Sequence, residues 1–575
     1  MNEVNIPVGT SSFAEIRREN YYFIDKSGLI GELLKTRGTK VTCITRPRRF
    51  GKTLGMSMLS EFFDIRKDSR ELFEGLSVSD NPDLCREWMN RYPVLSLSLR
   101  GVDGLDFAGA YAQLVSALAE LYKEHFYILE SSEVNSLDKE IFYRIAAKKA
   151  DQEEVKNSLL NLTRMMEAHY GRPVILLLDE YDVPLAKASE KGCYREMLDV
   201  IKGLLQVIKD NSRLKFAVLT GCLQIAKESI FTGTNNIVSD TIRDTRLNEY
   251  FGFTQAETDR LLADTGLSTH SGEMREWYDG YHFGSFDVYC PWDVMNHVKN
   301  LLLNPQSEPD HFWENTSGNE VIRTFLNCTD FDVNDKFEIL LAGGYIEEPL
   351  EDRLTYDMLA SSEENLWSLL YMTGYLTIMR PPELSAREEG KPAPGRFALK
   401  IPNREISDIF KKHVRSWFAE KTALSDRREL FAALWAGDET RLTGILSDLL
   451  FDTISYHDYR ESFYHAFLVG LVSNAGYRVE SNYENGDGRS DIIIRDRKNR
   501  RAVVIEAKAA DSERGMEKAC ENALQQIEEK QYAKAVERSG YKQAGRLGIA
   551  FWKKKCLVRA GGAGKGGISQ EGNKT

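Results

Sequence analysis

The run RPRRFGKT at residues 46–53 places Arg48, Arg49 and Phe50 ahead of Gly51, Lys52 and Thr53. Gly51 lets the backbone pass close to phosphate oxygens, Lys52 can reach the β and γ phosphates of a nucleotide, and Thr53 can hold magnesium. Open amides at a following helix start would cradle anionic oxygen. Arg46 stands where the general GxxxxGK[ST] pattern has its first glycine. Further on, the apolar residues ILLL end in Asp179 and Glu180. A carboxylate at a strand tip can hold magnesium through water while its neighbour polarises the attacking water. Each acid alone is more often a solvated strand end, but the pair downstream of a GKT loop favours ATP binding. Thr220, closing LKFAVLT, reads equally as a γ-phosphate sensor or an ordinary strand end. Arg48 and Arg49 can neutralise phosphate or pair elsewhere, and Arg243 and Arg246 are candidates for an arginine finger.

A second group lies in GDGRSDIIIRDRKNRRAVVIEAK, residues 486–508. If the chain folds back about Lys498 and Asn499, strand positions whose numbers add to 997 face each other, so Ile494 meets Val503 and Asp491 meets Glu506. Opposed residues of an antiparallel pair share a face with Cβ atoms about 5 Å apart. Glu506 and Lys508, two apart, project to that same face. Two carboxylates and an ammonium then converge, an arrangement that like-charge repulsion penalises unless a divalent cation joins them. Asp491, Glu506 and the Ala507 carbonyl can ligate magnesium or manganese, and Lys508 can activate water and stabilise phosphate charge. Glu461 among apolar residues is a candidate further acid, and Gln526 on a following helix a candidate contact to substrate or water. A salt-bridged surface hairpin is the plain alternative. The basic runs RDRKNRR (495–501) and Lys553–Lys555 offer local phosphate contacts. His457, Glu461 and His465, at spacing four, would share a helical face that permits zinc. No further ligands cluster there, so the histidines read as packing or ligand-supporting groups.

The elements that must position these groups follow from hydrophobic pattern. VTCIT (41–45), PVLSLSL (93–99), PVILLLD (173–179) and LKFAVLT (214–220) are short apolar runs separated by helix-patterned stretches. Such runs signal buried parallel strands wrapped by helices, an α/β layer fold. From about 255 to 365 strand signals fade, and WYDGYHFGSFDVYCPWDV (277–294) reads as an aromatic corner filling a helical core. NLWSLLYMTGYLTIM and RFALKIPN, parted by a loop rich in proline, glycine and charge, read as helix, strand, loop and strand, either a winged-helix-like module or a plain linker domain. The region from about 430 to 560 reads as helices, a β-hairpin, then helix and strand. The expected boundaries are 1–255, 256–430 and 431–559, with a glycine-rich, disordered tail at 560–575.

Composition bounds the function. At 575 residues, roughly 150 per domain gives three or four domains. The balance of 28% charged and 42% hydrophobic residues, with mean hydropathy -0.40, is that of a soluble globular chain. A net charge of -12 excludes a global positive field, so any nucleic-acid site is local. The eight cysteines form no CxxC pair, and reduced thiols in a cytoplasm are expected. The amino terminus lacks signal-peptide character, and no apolar run nears the 18 residues a membrane span requires, so no membrane partner is expected.

IPVGTSSFAEIRRENYYFIDKSGLI, RPRRFGKTL, YPVLSLSL, ILLLDEYDVPL, LTGCLQIAKESIFTGTNN and the WYDGYHFG segment resemble the AAA-ATPase-like family of bacterial and archaeal proteins, over roughly residues 5–295. That family carries arginine at the position of Arg46, so the departure from the general pattern is a family trait. From about Glu461 to Val558 the chain resembles the PD-(D/E)xK nuclease superfamily, in the branch commonly fused behind that ATPase-like domain. The resemblance implies a restriction-endonuclease-like α/β domain with Asp491 as its aspartate, Glu506 and Lys508 as its ExK pair, Glu461 as the upstream acid and Gln526 as the trailing glutamine.

The reading is an ATP-dependent or ATP-regulated hydrolase that binds ATP at Lys52, Thr53, Asp179 and Glu180 and cuts nucleic acid, DNA favoured over RNA, with magnesium or manganese. The rival is a nucleotide-dependent signalling or defence scaffold whose nuclease fold binds without cutting. Because AAA-type sites often borrow a neighbour's arginine, a homo-oligomer and a monomer both stay open.

Overall fold

The computed structural model describes residues 4–35, 38–223, 237–313, 334–351, 354, 356, 359, 361–380, 383, 392–423, 428–453, 461–472, 477–485, 488–541 and 543–561. The expected tail falls outside these residues from 562 onward. The chain divides into two compact units, Met1–Val321 with Glu347–Ile406, and Ile322–Ile346 with Ser407–Thr575.

The first unit is built on five parallel strands, β1 (Val41–Thr45), β2 (Val94–Ser98), β3 (Val174–Asp179), β4 (Leu214–Gly221) and β5 (Ile237–Asp240), in the order β2-β3-β4-β1-β5. Every residue of β1 and β3 is buried. The reason is that both sheet faces are covered, which turns a strand's alternating pattern into a continuous apolar run. Val41, Cys43, Leu176, Leu178 and Leu219 face a core shared with helices α2 (Phe107–Glu124) and α3 (Ser158–Tyr170). Ile44, Ile175, Leu177 and Val218 face the opposite core, with helix α1 (Lys52–Phe63). β5 went unread because IVSD offers only two apolar residues; its pairing with β1, Ile44 opposite Asp240, supplies the rest.

The middle region is helical as expected, with a small sheet set into it. Strands β6 (Phe253–Thr254), β7 (Tyr281–Phe283) and β8 (Phe286–Tyr289) form a small antiparallel sheet in the order β6-β8-β7, followed by helix α4 (Pro291–Leu303). The strands are only two to four residues long, and their aromatic side chains hid the alternation. Beyond them, helix α5 (Glu363–Met372) leads to β9 (Thr377–Ile378), which pairs antiparallel with β10 (Phe397–Lys400). Most of the intervening loop lies outside the described residues.

The second unit carries helices α6 (Glu439–Thr453) and α7 (Glu461–Val472), then strands β11 (Arg478–Asn485), β12 (Gly488–Asp496) and β13 (Arg501–Ala509). Helices α8 (Met516–Glu529) and α9 (Tyr532–Arg538) and strands β14 (Gln543–Trp552) and β15 (Lys555–Ala560) complete it. The mixed sheet keeps the order β11-β12-β13-β14-β15, with only β13 and β14 parallel. The hairpin register is the one deduced from symmetry: Ile492 opposes Ile505, Ile494 opposes Val503, and Asp496 opposes Arg501. Gly548 is a true close approach, since a Cβ there would lie 2.6 Å from the Cys520 carbonyl oxygen of α8.

Candidate functional site

In the first unit, β1 delivers the loop 46–51 to the start of α1. Gly51 adopts φ +85°, in the left-handed region, where a side chain would be strained. It caps a 12-residue helix with no side-chain hydrogen bond and no acid in the first turn, so the first amides of α1 are left for an anion. Lys52 is buried, its Nζ donating to the carbonyls of Arg46 and Pro47 at 3.0 Å each and lying 4.0 Å from Glu180 Oε1. Burial opposes its charge, but Cys222, Glu180, Asp182 and Asp179 around it win, and its pKa is raised. Thr53 Oγ1 donates to Asp179 Oδ2 at 2.9 Å, and Thr220 donates to the other oxygen of the same carboxylate. Burial raises the Asp179 pKa against these two hydrogen bonds. Glu180 follows at φ +55°, an uncommon conformation for a non-glycine residue and one that recurs at functional sites. Thus Lys52, Thr53, Asp179, Glu180 and Thr220 come together at the carboxyl ends of β1, β3 and β4. The residues fit a magnesium nucleotide: a hydroxyl and a carboxylate for the ion, and an ammonium and free amides for phosphate.

The other predicted loop residues divide. Arg48 faces Glu180 and Cys222 and stays with the site. The Arg49 guanidinium lies 4.2 Å over the Trp292 ring of α4, and burial together with the like charge of Arg100 lowers its pKa. Phe50 is fully buried with its ring centroid 5.0 Å from Tyr281 and from Phe283, so only its backbone can serve phosphate. The WYDGYHFG segment is thereby the wall against which the loop is cast. Of the finger candidates, Arg246 donates to Asp240 at 3.0 Å and the Arg243 guanidinium lies 4.5 Å over Phe397, so both are engaged within their own unit.

Arg46 holds no phosphate. Fully buried, it donates to the carbonyls of Thr45 and Asp240 at 2.8 Å each, to Asp240 Oδ1 at 2.9 Å and to Asn248 Oδ1 at 2.6 Å. An arginine replaces the glycine of the general motif because here that position fastens the loop to the tip of β5. Sequence reasoning also missed Asp182, whose Oδ2 accepts from the amides of Cys222 and Leu223 at 2.9 Å each and from the Tyr356 hydroxyl at 3.0 Å. Tyr181 donates to the Leu223 carbonyl at 2.9 Å. These two residues of DEYD clamp the end of β4 beside Lys52, and Gly221 is needed there because a Cβ would lie 2.6 Å from Asp182 Oδ1.

Near the loop, Cys290 Sγ lies 3.8 Å from the Arg49 carbonyl, and Asp293 of α4 is fully buried. Burial pushes the Asp293 carboxyl up to about 7. Burial and the Asp293 charge push the equally buried Glu405, which accepts from the Trp313 amide at 2.8 Å, to about 10.

In the second unit the hairpin brings Asp491, Glu506 and Lys508 together. The Asp491 amide lies 3.4 Å from Glu506 Oε2, the Ala507 amide donates to Asp491 Oδ2 at 2.9 Å, and Lys508 Nζ is 3.5 Å from Glu506 Oε1. Gln526 reaches from α8 and donates to Glu506. Burial first, then the Asp491 charge, push Glu506 up to about 7 against the pull of Lys508. Such a pair is at ease when a cation sits between its members, and Asp491, Glu506 and the Ala507 carbonyl fit one as donors. Glu461 opens α7, but its side chain lies outside those described, as does His457. His465 Nε2 hydrogen-bonds the Asp491 carbonyl at 3.0 Å and lies 3.3 Å from Ser481 Oγ, a supporting role rather than a zinc ligand's. Among the described residues no group of three or more histidine, cysteine or acidic side chains converges as a metal site. Tyr532, buried at the start of α9 and facing Gln526 and Glu506, was missed, for nothing in its local sequence marks it. The run 495–501 does not serve this site: Arg495 pairs with Glu480 and Arg501 with Asp496, each at 3.0 Å, and the turn lies at the opposite end of the strands.

Residues 7–231 match the family model for a predicted AAA-ATPase, and residues 459–560 match the model of the PD-(D/E)XK nuclease superfamily. The chain thus joins an AAA-ATPase-like domain to a C-terminal PD-(D/E)XK nuclease superfamily domain, a pairing that supports nucleotide binding and nuclease chemistry. The ATPase match ends at 231, so the aromatic segment falls outside it. Across 570 residues, 96% of this chain and 97% of its relative, the sequence is 27% identical to an uncharacterized protein in the vnfD 5' region of Azotobacter chroococcum mcd 1. No helix among the described residues is long and apolar enough to cross a membrane.

Proposed function

We propose that the protein is an ATP-regulated, metal-dependent nuclease acting on nucleic acid, DNA in the first instance. The observation that carries the reading is the convergence of Asp491, Glu506 and Lys508 at the splayed end of one hairpin, with Gln526 bonded to Glu506. Asp491, Glu506 and Ala507 would hold magnesium or manganese, which when bound supplies Lewis acidity toward the scissile phosphate and its attacking water. Lys508 would hold the attacking water and balance charge on the phosphate, while Gln526 keeps Glu506 turned inward. In the other unit, the α1 amides and Lys52 would hold ATP phosphates, Thr53 and Asp179 its magnesium, and Glu180 the hydrolytic water, with Thr220 fixing Asp179. ATP turnover, control of cutting by ATP, a cytoplasmic setting and the three-domain boundaries are parts of this proposal.

The test is cleavage of plasmid and single-stranded DNA with manganese or magnesium, with and without ATP, by the intact chain, Asp491→Ala and Lys52→Ala. We expect Asp491→Ala to abolish cutting while leaving ATP binding, and Lys52→Ala to lose both ATP binding and ATP-dependent cutting. No cutting by the intact chain, alongside measurable ATP binding, would favour the non-cutting scaffold.

A further inference from the structure

The geometry points to Lys553, in the two-residue turn between β14 and β15, as the cation that grips the nucleic-acid backbone beside the scissile phosphate. This inference rests on the nuclease reading of Asp491, Glu506 and Lys508. The sequence contains two basic runs, and the sheet register separates them. β14 runs parallel to β13 with Ala550 opposite Lys508. Two residues later Trp552 pairs with Lys555 across the turn into β15. With about 3.3 Å per residue and about 4.8 Å between strands, Lys553 Cα lies about 11 Å from Lys508 Cα, past the same end of the sheet. A nucleic-acid strand carries one charge per 3.4 Å of axis, so Lys553 stands within about three phosphates of the cut. The other basic turn, 497–500, lies six residues from Asp491 in the opposite direction, about 20 Å away.

The turn is also firmly mounted. The Tyr464 hydroxyl donates to the Lys553 carbonyl at 2.9 Å, and the Tyr464 ring stacks on Phe551 with centroids 4.2 Å apart and planes 8° from parallel. Lys553 Nζ lies 5.1 Å over the Trp552 ring, and that ring packs against Met516 and Cys520. Lys553 adopts φ +53°, where a hairpin turn would ordinarily place asparagine or glycine. Among the described residues Lys553 has no carboxylate partner, whereas Lys555 pairs with Glu513 at 2.6 Å. In a chain of net charge -12, a fixed cation here meets the local requirement for phosphate recognition.

The experiment uses the full chain carrying Asp491→Asn, so that binding is read without cutting. Affinity for a fluorescent 30-nucleotide single strand and for the matching duplex is measured from 50 to 300 mM salt. Each lost phosphate contact lowers the slope of log K against log salt by about 0.7 on a single strand and about 0.9 on a duplex. We expect K553Q to lower the slope by roughly 0.7 to 0.9 and K553R to keep it. R497Q/K498Q/R500Q should leave the slope within about 0.5 of the parent. In the cutting-competent chain K553Q should raise KM and spare kcat. An unchanged slope in K553Q while the parent binds, or a loss confined to the 497–500 variant, overturns this inference and leaves the nuclease reading standing. An intact chain, with Asp491 in place, that neither binds nor cuts any nucleic acid takes down both.

Discussion

The nucleotide loop and the nuclease hairpin gather similar chemistry, acids around a lysine, by opposite means. At the first site the parts are far apart in the chain: Thr53 meets Asp179, and Arg46 reaches Asp240 and Asn248 about two hundred residues on. At the second, Asp491, Glu506, Lys508 and Gln526 lie within 36 consecutive residues, and one hairpin with its following helix assembles them. The first site is a product of the whole unit's packing, so a change far from phosphate can undo it. The second is a product of local register, so it tolerates distant change and fails when the hairpin slips.

The sharpest way to break the comparison is Arg46. Restoring the general motif with Arg46→Gly looks harmless on paper. It would strand the fully buried Asp240 with Arg246 as its remaining cation and leave Asn248 Oδ1 without its guanidinium. Removing one partner of a buried ion pair costs about 3–5 kcal/mol. We expect denaturant unfolding followed by a probe in the first unit to show that loss, with ATP binding gone. A variant as stable as the parent would mean that the pair only breaks even and that the loop holds itself.

A second test follows from the buried acids Asp293 and Glu405, which Cys290, Tyr278, Tyr281, Asp310 and Arg49 also face. Burial holds Asp293 protonated up to about 7 against 3.8 when exposed, and burial with the Asp293 charge holds Glu405 to about 10. The folded chain therefore keeps protons that the unfolded chain has released. Stability falls as pH rises from about 4 toward 7, and Glu405 extends the fall above neutrality. Stability should therefore drop between pH 5 and 8 with both acids contributing, and Asp293→Asn should make the drop shallower. Equal slopes for parent and variant in urea melts at the two pH values would refute a shared proton there.

How far each site could be read from residues alone follows the same division. The register pairing Ile494 with Val503 was legible because a hairpin's symmetry is local, and it delivered Asp491 to Glu506. The strand leading into the Thr53 loop and the strand ending at Asp179 were legible because doubly covered parallel strands leave continuous apolar runs. β5 was not, since it is a short edge strand defined by its pairing with β1, with only Ile237 and Asp240 of IVSD buried. Arg46 looked like a phosphate-loop oddity because its partner, Asp240, closes no local pattern. Asp182 and Tyr356 meet across 174 residues, a separation over which spacing carries no signal. Tyr532 sits on the helix after Gln526, where only the turn between helices aims it inward.

The smallest expected effect sharpens the claim that the second site is held locally. His465 bonds the backbone carbonyl of Asp491, not its carboxylate, so it steadies a metal donor without being one. Replacing it with alanine removes one hydrogen bond, worth about 0.5–1.5 kcal/mol. Cleavage at limiting manganese should fall by roughly three- to tenfold, with half-maximal metal shifted upward and full rate regained at saturating metal. Asparagine, which can still donate to the carbonyl, should recover part of the loss. A histidine that ligated the ion itself would behave otherwise, with a loss that saturating manganese fails to restore. That result would move His465 into the ligand set and make the second site depend on α7 as the first depends on β5.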